Sequence, residues 1–355
     1  MTIVNIDAAT AKANFLKKPF MLGHNLVGHP LFTLPRLVQL AKSLPRDQIE
    51  YASGKVAVDV KPQDVPRIDK SPEEVIRSIE TQNAWMVIKR ADKDPEYRAV
   101  LEAFVREANL AAGRDENEYS DIEGFIFVSS ANATTPFHID AEENILIQLH
   151  GDKFVRTFDN DDRALVSEEA MEISPSKHRN QHYEDWYEQR ATLHSLQPGD
   201  AVHMPYLIPH WVSTGSSYSI SMAMTWKTPE VLRLNKIRLM NGTLRRYGLA
   251  QQPPGARPMG DAMKVAFHDA VRALIDPLRR SERVRKVLRG LIYGRNAVIE
   301  TLQGPARDDA AARNKFLKLM QTQAERMRRL IDDLLSLSRI EMNEHVRPSG
   351  EVDLS

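Results

Sequence analysis

Between Ile122 and Trp226 the chain runs through short apolar segments, "IEGFIFVSS", "NILIQLH", "KFVRTFD", "DAVHMP" and "SYSISMAMTW", parted by "HGDK", "QPGD" and "STGSS". The segments have strand length and the interruptions have turn chemistry. Several such strands without intervening long helices predict a β-sandwich or a jelly-roll barrel. One polar insert, "SEEAMEISPSKHRNQHYEDWYEQRA", interrupts the series and gathers His178, His182, Tyr183 and Trp186. It is expected to lie over the mouth of the barrel.

The flanks read differently. In the N-terminal part, "LFTLPRLVQLAKSLP" has apolar residues at helical spacing closed by Pro45, "KVAVDV" and "AWMVIKR" read as strands, and "DPEYRAVLEAFVREANLAA" as an amphipathic helix. After Pro229 the chain turns helical. The organisation expected is an N-terminal mixed α/β region packing on the core (1–118), a catalytic core (119–230), a C-terminal helical region (231–298) and a separate last segment (299–355). The fold class is mainly β with flanking helices. Lys and Arg number 48 against 48 Asp and Glu, so no global field draws the protein to nucleic acid or an anionic membrane. With no cysteine, disulfides, thiolate metal sites and cysteine nucleophiles are excluded together. No stretch approaches the ~18 apolar residues of a membrane span. A soluble, cytoplasmic protein is expected, with small, specific partners.

The chemistry concentrates in "TTPFHIDAEENILIQLHGDKF". Side chains two apart on a strand share a face, so His138 and Asp140 aim at one point while Ile139 faces away. A core histidine bonded to a carboxylate would look the same. A second stretch, "LQPGDAVHMPYLIPHW", supplies a Pro-Gly-Asp turn, a strand, and a return that brings in His210. Two imidazoles and one carboxylate on one face of a metal leave the opposite positions open, as in non-heme Fe(II) oxygenases. His203, on the strand before His210, is the rival for third ligand or a neighbour of the site. His194, His150, Trp211 and Trp226 read as barrel or core residues, and His178 and His182 as solvent-exposed or substrate-contacting.

On "TPFHIDAEENILIQLHGDKF" and "LQPGDAVHMPYLIPHW" the chain resembles the JmjC-type, cupin-like Fe(II)/2-oxoglutarate oxygenases, especially the branch containing the asparaginyl hydroxylase called factor inhibiting HIF. The resemblance spans roughly residues 20–295 and is strongest from 122 to 227. It implies a double-stranded β-helix core, with His138, Asp140 and His210 as the catalytic iron ligands. Thr135 and Lys153 correspond to the pair that holds the distal carboxylate of 2-oxoglutarate, and Asn144 to a position lining the co-substrate pocket. Lys153 follows the Gly151-Asp152 turn, from which an ammonium can reach back over a pocket as a point charge; a surface lysine after a hairpin is the plain alternative. The reaction implied consumes dioxygen and 2-oxoglutarate and hydroxylates, or demethylates, an unidentified protein or small-molecule substrate. A noncatalytic cupin-like ligand-binding or regulatory module is the competing expectation, and a signalling adaptor a further one.

The last segment, from Glu300 to Ser355, resembles the second half of the dimerisation and phosphoacceptor region of PhoR-type sensor histidine kinases. Phe316, Met320, Gln323, Met327, Leu330, Leu334 and Leu337 make one coiled-coil seam. Where those kinases carry their phosphoacceptor this chain reads "RGLIYGRNAVIE", without histidine, so no phosphotransfer is expected. The seam implies homodimerisation through the C-terminal helices, favoured over folding back on residues 265–295.

Overall fold

Residues 2–53, 56–60, 71–80, 84–176 and 180–279 are described by a computed structural model. The N-terminal part supplies β1 (Val4–Asn5), α1 (Ala8–Asn14), β2 (Phe20–His24), α2 (Leu34–Ser43), β3 (Ile49–Ser53), α3 (Pro72–Arg77), β4 (Ala84–Ile88) and α4 (Pro95–Ala111). Asp94 caps α4 and Pro95 occupies its first position, where the missing N–H is no loss. Tyr97, Val100, Leu101, Phe104, Val105 and Ala108 recur at helical spacing and are buried.

Eight strands follow: β5 (Ser120–Ser129), β6 (Thr134–His138), β7 (Glu143–His150), β8 (Lys153–Thr157), β9 (Thr192–Leu196), β10 (Asp200–Met204), β11 (His210–Thr214) and β12 (Ser219–Lys227). One sheet has the order β1-β2-β10-β7-β12-β5-β4-β3 and the other β6-β11-β8-β9. All pairings are antiparallel. Of these, β5, β7, β10 and β12 lie in the larger sheet and β6, β8, β9 and β11 in the smaller, which is the jelly roll expected from the sequence. β2 and β4 hydrogen-bond to β10 and β5, so the N-terminal strands extend the larger sheet on both sides.

Alternation sorts the strand residues into two faces. Ile145, Ile147, Met222, Met224, Trp226, Ile126 and Val128 turn outward from the larger sheet into one core with Leu37, Leu40, Leu101 and Phe104 of the helices. Leu146, Val202, Met204 and Ala223 turn inward and meet Val155, Leu196 and Val212 of the smaller sheet. β7 and β12 are therefore buried on both faces.

After β12 come α6 (Pro229–Arg246) and α7 (Pro258–Arg279), with α5 (Glu168–Ile173) inside the polar insert. The chain divides into two compact units, Met1–Ala256 and Arg257–Ser355. Among the described residues no helix is long and apolar enough to cross a membrane. His178, the coiled-coil seam, the kinase-like segment and the homodimer read from it lie outside the described residues, as does the stretch 280–298.

Two local expectations are corrected. "KVAVDV" is not a strand: residues 56–60 turn, with Val60 N–H donating to Ala57 O at 3.2 Å, and Val58 O accepts from Phe137 N–H at 2.8 Å. The valine alternation was real, but the backbone spends its hydrogen bonds on a turn and a single contact with β6. The insert does not simply cap the barrel. Tyr183 and Tyr187 pack edge-on against Phe137, on the outer face of the smaller sheet, and Gln181 N–H donates to Phe137 O at 2.7 Å.

Candidate metal centre

β6 and β11 are register partners at His210 and His138, then at Val212 and Thr135, so one extra residue lies on β6 between the two pairs. That bulge settles a parity conflict. In a regular strand Thr135, three before His138, would face the other way; opposite Val212, it shares the inward face with His138. Phe137 and Ile139 face outward into the cluster of Phe158, Leu165, Val166 and Leu207. Asp140 sits past the end of β6 rather than on it, yet still turns to the histidine side.

His138, Asp140 and His210 each offer a ligand atom, all within 4.8 Å of one another. Their side chains are 11%, 21% and 4% exposed, so the carboxylate side is the open one. His138 Nδ1 lies 2.6 Å from Pro136 O and His210 Nδ1 lies 2.9 Å from Ile208 O. A carbonyl only accepts, so both Nδ1 atoms carry the proton and both Nε2 atoms present lone pairs. Each Nε2 is 3.8 Å from Asp140 Oδ2, and the rings approach to 4.1 Å. Convergent lone pairs of this kind fit a divalent cation, and the carbonyl contacts are the outer support that metal-bound imidazoles use.

Asn144 Nδ2 donates to Asp140 Oδ2 at 3.1 Å. Its Oδ1 and the hydroxyl of Thr225, its register partner on β12, are buried with no hydrogen-bond partner among the described residues. Polar atoms in that state call for a bound group, because leaving them dry is costly. Further along the interior, Lys153 is 4% exposed and donates to Ser221 Oγ, with its ammonium 5.4 Å from the Phe127 ring centre. No carboxylate of the described residues pairs with it, and burial pushes its pKa down to about 7. Gly151 makes this placement possible. Its φ of +68° is left-handed, and a Cβ there would sit 2.2 Å from Tyr218 O.

His203 is not among the converging groups. It occupies the opposite face of β10, 4.9 Å from the Phe15 ring and 5.3 Å from Phe20, and burial pushes its pKa down to about 3. His194 accompanies Thr157 at 3.0 Å inside the barrel, His150 stacks on Tyr218, and His182 pairs with Glu184 at the surface. Trp226 is core, whereas Trp211 lies under Arg156. Ser221 and Thr225 were missed in the sequence. The signal was there: Ser219, Ser221, Ala223 and Thr225 put a small or polar residue at every second place of a strand whose other face is Ile and Met.

Comparison with solved structures gives likenesses to Escherichia coli YcfD. One structure of that protein has 13% identity and a TM-score of 0.45, with 81% of this chain and 73% of that chain covered. Another, described as a ribosomal oxygenase in complex with cobalt and 2-oxoglutarate, has 14% identity and a TM-score of 0.44, with 80% and 71% covered. No curated protein sequence matches. The family model described as "Cupin-like domain" matches residues 49–230, just over half of the chain, which therefore belongs to the cupin-like domain family.

Proposed function

We propose that this chain is an Fe(II)- and 2-oxoglutarate-dependent oxygenase of the JmjC type. The observation that carries the reading is a buried ammonium with no carboxylate partner among the described residues, in the same barrel interior as a cluster of two Nε2 lone pairs and a carboxylate. A metal site alone would suit a noncatalytic cupin. The added, desolvated cation suits an anionic co-substrate, because an uncompensated buried charge is otherwise a pure loss.

In this reading His138, Asp140 and His210 hold the metal, and Asn144 orients the Asp140 carboxylate by holding Oδ2. Lys153, hydrogen-bonded to Ser221 of the facing sheet, receives the distal carboxylate of the co-substrate together with Thr135, which the bulge turns to the same interior, while Phe127, Leu146 and Val212 keep the interior dry. When bound, Fe(II) and 2-oxoglutarate supply oxidation of a substrate C–H bond by dioxygen, coupled to decarboxylation of the co-substrate to succinate. The product is a hydroxylated or demethylated substrate.

Anaerobic titration with Fe(II) and 2-oxoglutarate, followed by oxygen, tests this. A metal-to-ligand charge-transfer band and subsequent succinate are expected from the wild type. His138→Ala, Asp140→Ala and His210→Ala each lose Fe(II) retention while keeping the fold. A band without succinate under any condition would leave the noncatalytic module instead.

A further inference from the structure

Asp140 lies beyond the last residue of β6, so the strand ladder does not hold it. The loop between β10 and β11 does. Leu207 N–H donates to Asp140 O at 2.9 Å, and Ile208 O accepts from His210 Nδ1 at 2.9 Å, so adjacent loop residues grip two of the three converging groups. Leu207 has a φ of 58°, a left-handed backbone that a leucine adopts only when its surroundings impose it.

The surroundings that impose it meet at Tyr206. Its N–H donates to Glu143 Oε2 at 3.3 Å, its carbonyl accepts from Asn160 Nδ2 at 3.1 Å, and its hydroxyl donates to Asn235 Oδ1 at 2.8 Å. Asn235, on α6, in turn donates through Nδ2 to Ala141 O at 2.9 Å. One side chain thereby ties the residue after Asp140 to the residue before Leu207. Neither Tyr206 nor Asn235 belongs to the converging cluster, so any influence on it passes through the loop and the Ala141 backbone.

We propose that Tyr206 and Asn235 are positioning residues that set the Asp140 carboxylate against His210, which makes α6 an outside brace of the metal centre. This rests on the reading of His138, Asp140 and His210 as metal ligands.

The test is titration of the full chain with Co(II), following the d–d absorption, in wild type, Tyr206→Phe, Asn235→Ala, the double variant and Thr228→Ala. Each of the first two raises the Co(II) Kd about tenfold, in the range seen for outer-shell partners of metal ligands, and shifts the band. The double variant is no weaker than Asn235→Ala, since both remove one connection. Thr228→Ala removes the cap of α6, where Thr228 Oγ1 accepts from Val231 N–H at 3.2 Å; it lowers Tm and leaves the Kd unchanged. Wild-type Kd and band in Asn235→Ala would overturn the proposal, as would an equal loss in Thr228→Ala. Absence of Co(II) binding in the wild type would instead overturn the metal reading beneath it. Should Asn235→Ala not fold, Tyr206→Phe, which loses one hydroxyl, decides the matter.

Discussion

Lys153 is the residue on which the proposed reading turns. An ammonium beside Ser221 and Phe127 has exchanged its hydration for one hydroxyl and one ring face, which in the proposed reading makes it the seat of the co-substrate carboxylate. Lys153→Ala is expected to raise the 2-oxoglutarate requirement by ten- to a hundredfold, since a charge-assisted contact contributes about 1.5–3 kcal/mol. Fe(II) retention, measured separately, stays as in the wild type. Lys153→Arg restores little, because a planar fork does not fill the place of a point charge. The sequence showed the lysine after a Gly-Asp turn but not its depth. A hairpin turn places a residue; only the pairing of β8 with β11 and β9 decides that Lys153 faces inward.

The β7–β8 hairpin and the bulged β6 are the elements that aim these residues. Gly151→Ala demands both a left-handed alanine and a Cβ inside the Tyr218 carbonyl. The expected destabilisation is about 1–3 kcal/mol, read by denaturant titration, with a weaker co-substrate site because the turn that carries Lys153 must shift. The five segments singled out from "IEGFIFVSS" to "SYSISMAMTW" all became strands, since their apolar alternation is what packing uses. β9 and β11, "TLHSL" and "HWVST", are short and polar, and the sequence carries little sign of them. The bulge leaves one mark, Pro136, since a proline within a strand is confined to edges and bulges, but only the pairing with β11 reveals the extra residue. The spacing of His138 and Asp140 announced the cluster although Asp140 lies outside the strand. The loop and helix that hold it were hidden, because Asn235 meets Ala141 across 94 residues of chain.

For the whole molecule, three of the buried ionisable groups carry large shifts that make stability answer to pH. Burial pushes Glu143 up to about 8, His203 down to about 3 and Lys153 down to about 7. His203 makes stability rise from about pH 3 to its ordinary 6.5, where the unfolded chain binds the extra proton. Glu143 makes it fall from its ordinary 4.5 to about 8, where the folded chain keeps the proton. Lys153 makes it rise from about 7 to its ordinary 10.5, because the unfolded chain keeps a proton that the folded barrel has shed. Above pH 8 only the last of the three still acts. The free protein is therefore expected to gain stability between pH 8 and 9 in denaturant titrations, before the phenols of Tyr97, Tyr183 and Tyr206, raised by burial, begin to oppose it, and Lys153→Met to lose that gain. Elsewhere in the molecule, β6 forms one end of the smaller sheet, and Val58 on one side of Phe137 and Gln181 on the other occupy its outer backbone groups, with Asn180 Nδ2 joined to Val60 O at 2.6 Å. A bare strand there would be a template on which a second chain could grow by main-chain pairing. The two short segments end that growth before it starts, so the strand that bears His138 is protected from aggregation by pieces of chain that contribute nothing to the barrel itself.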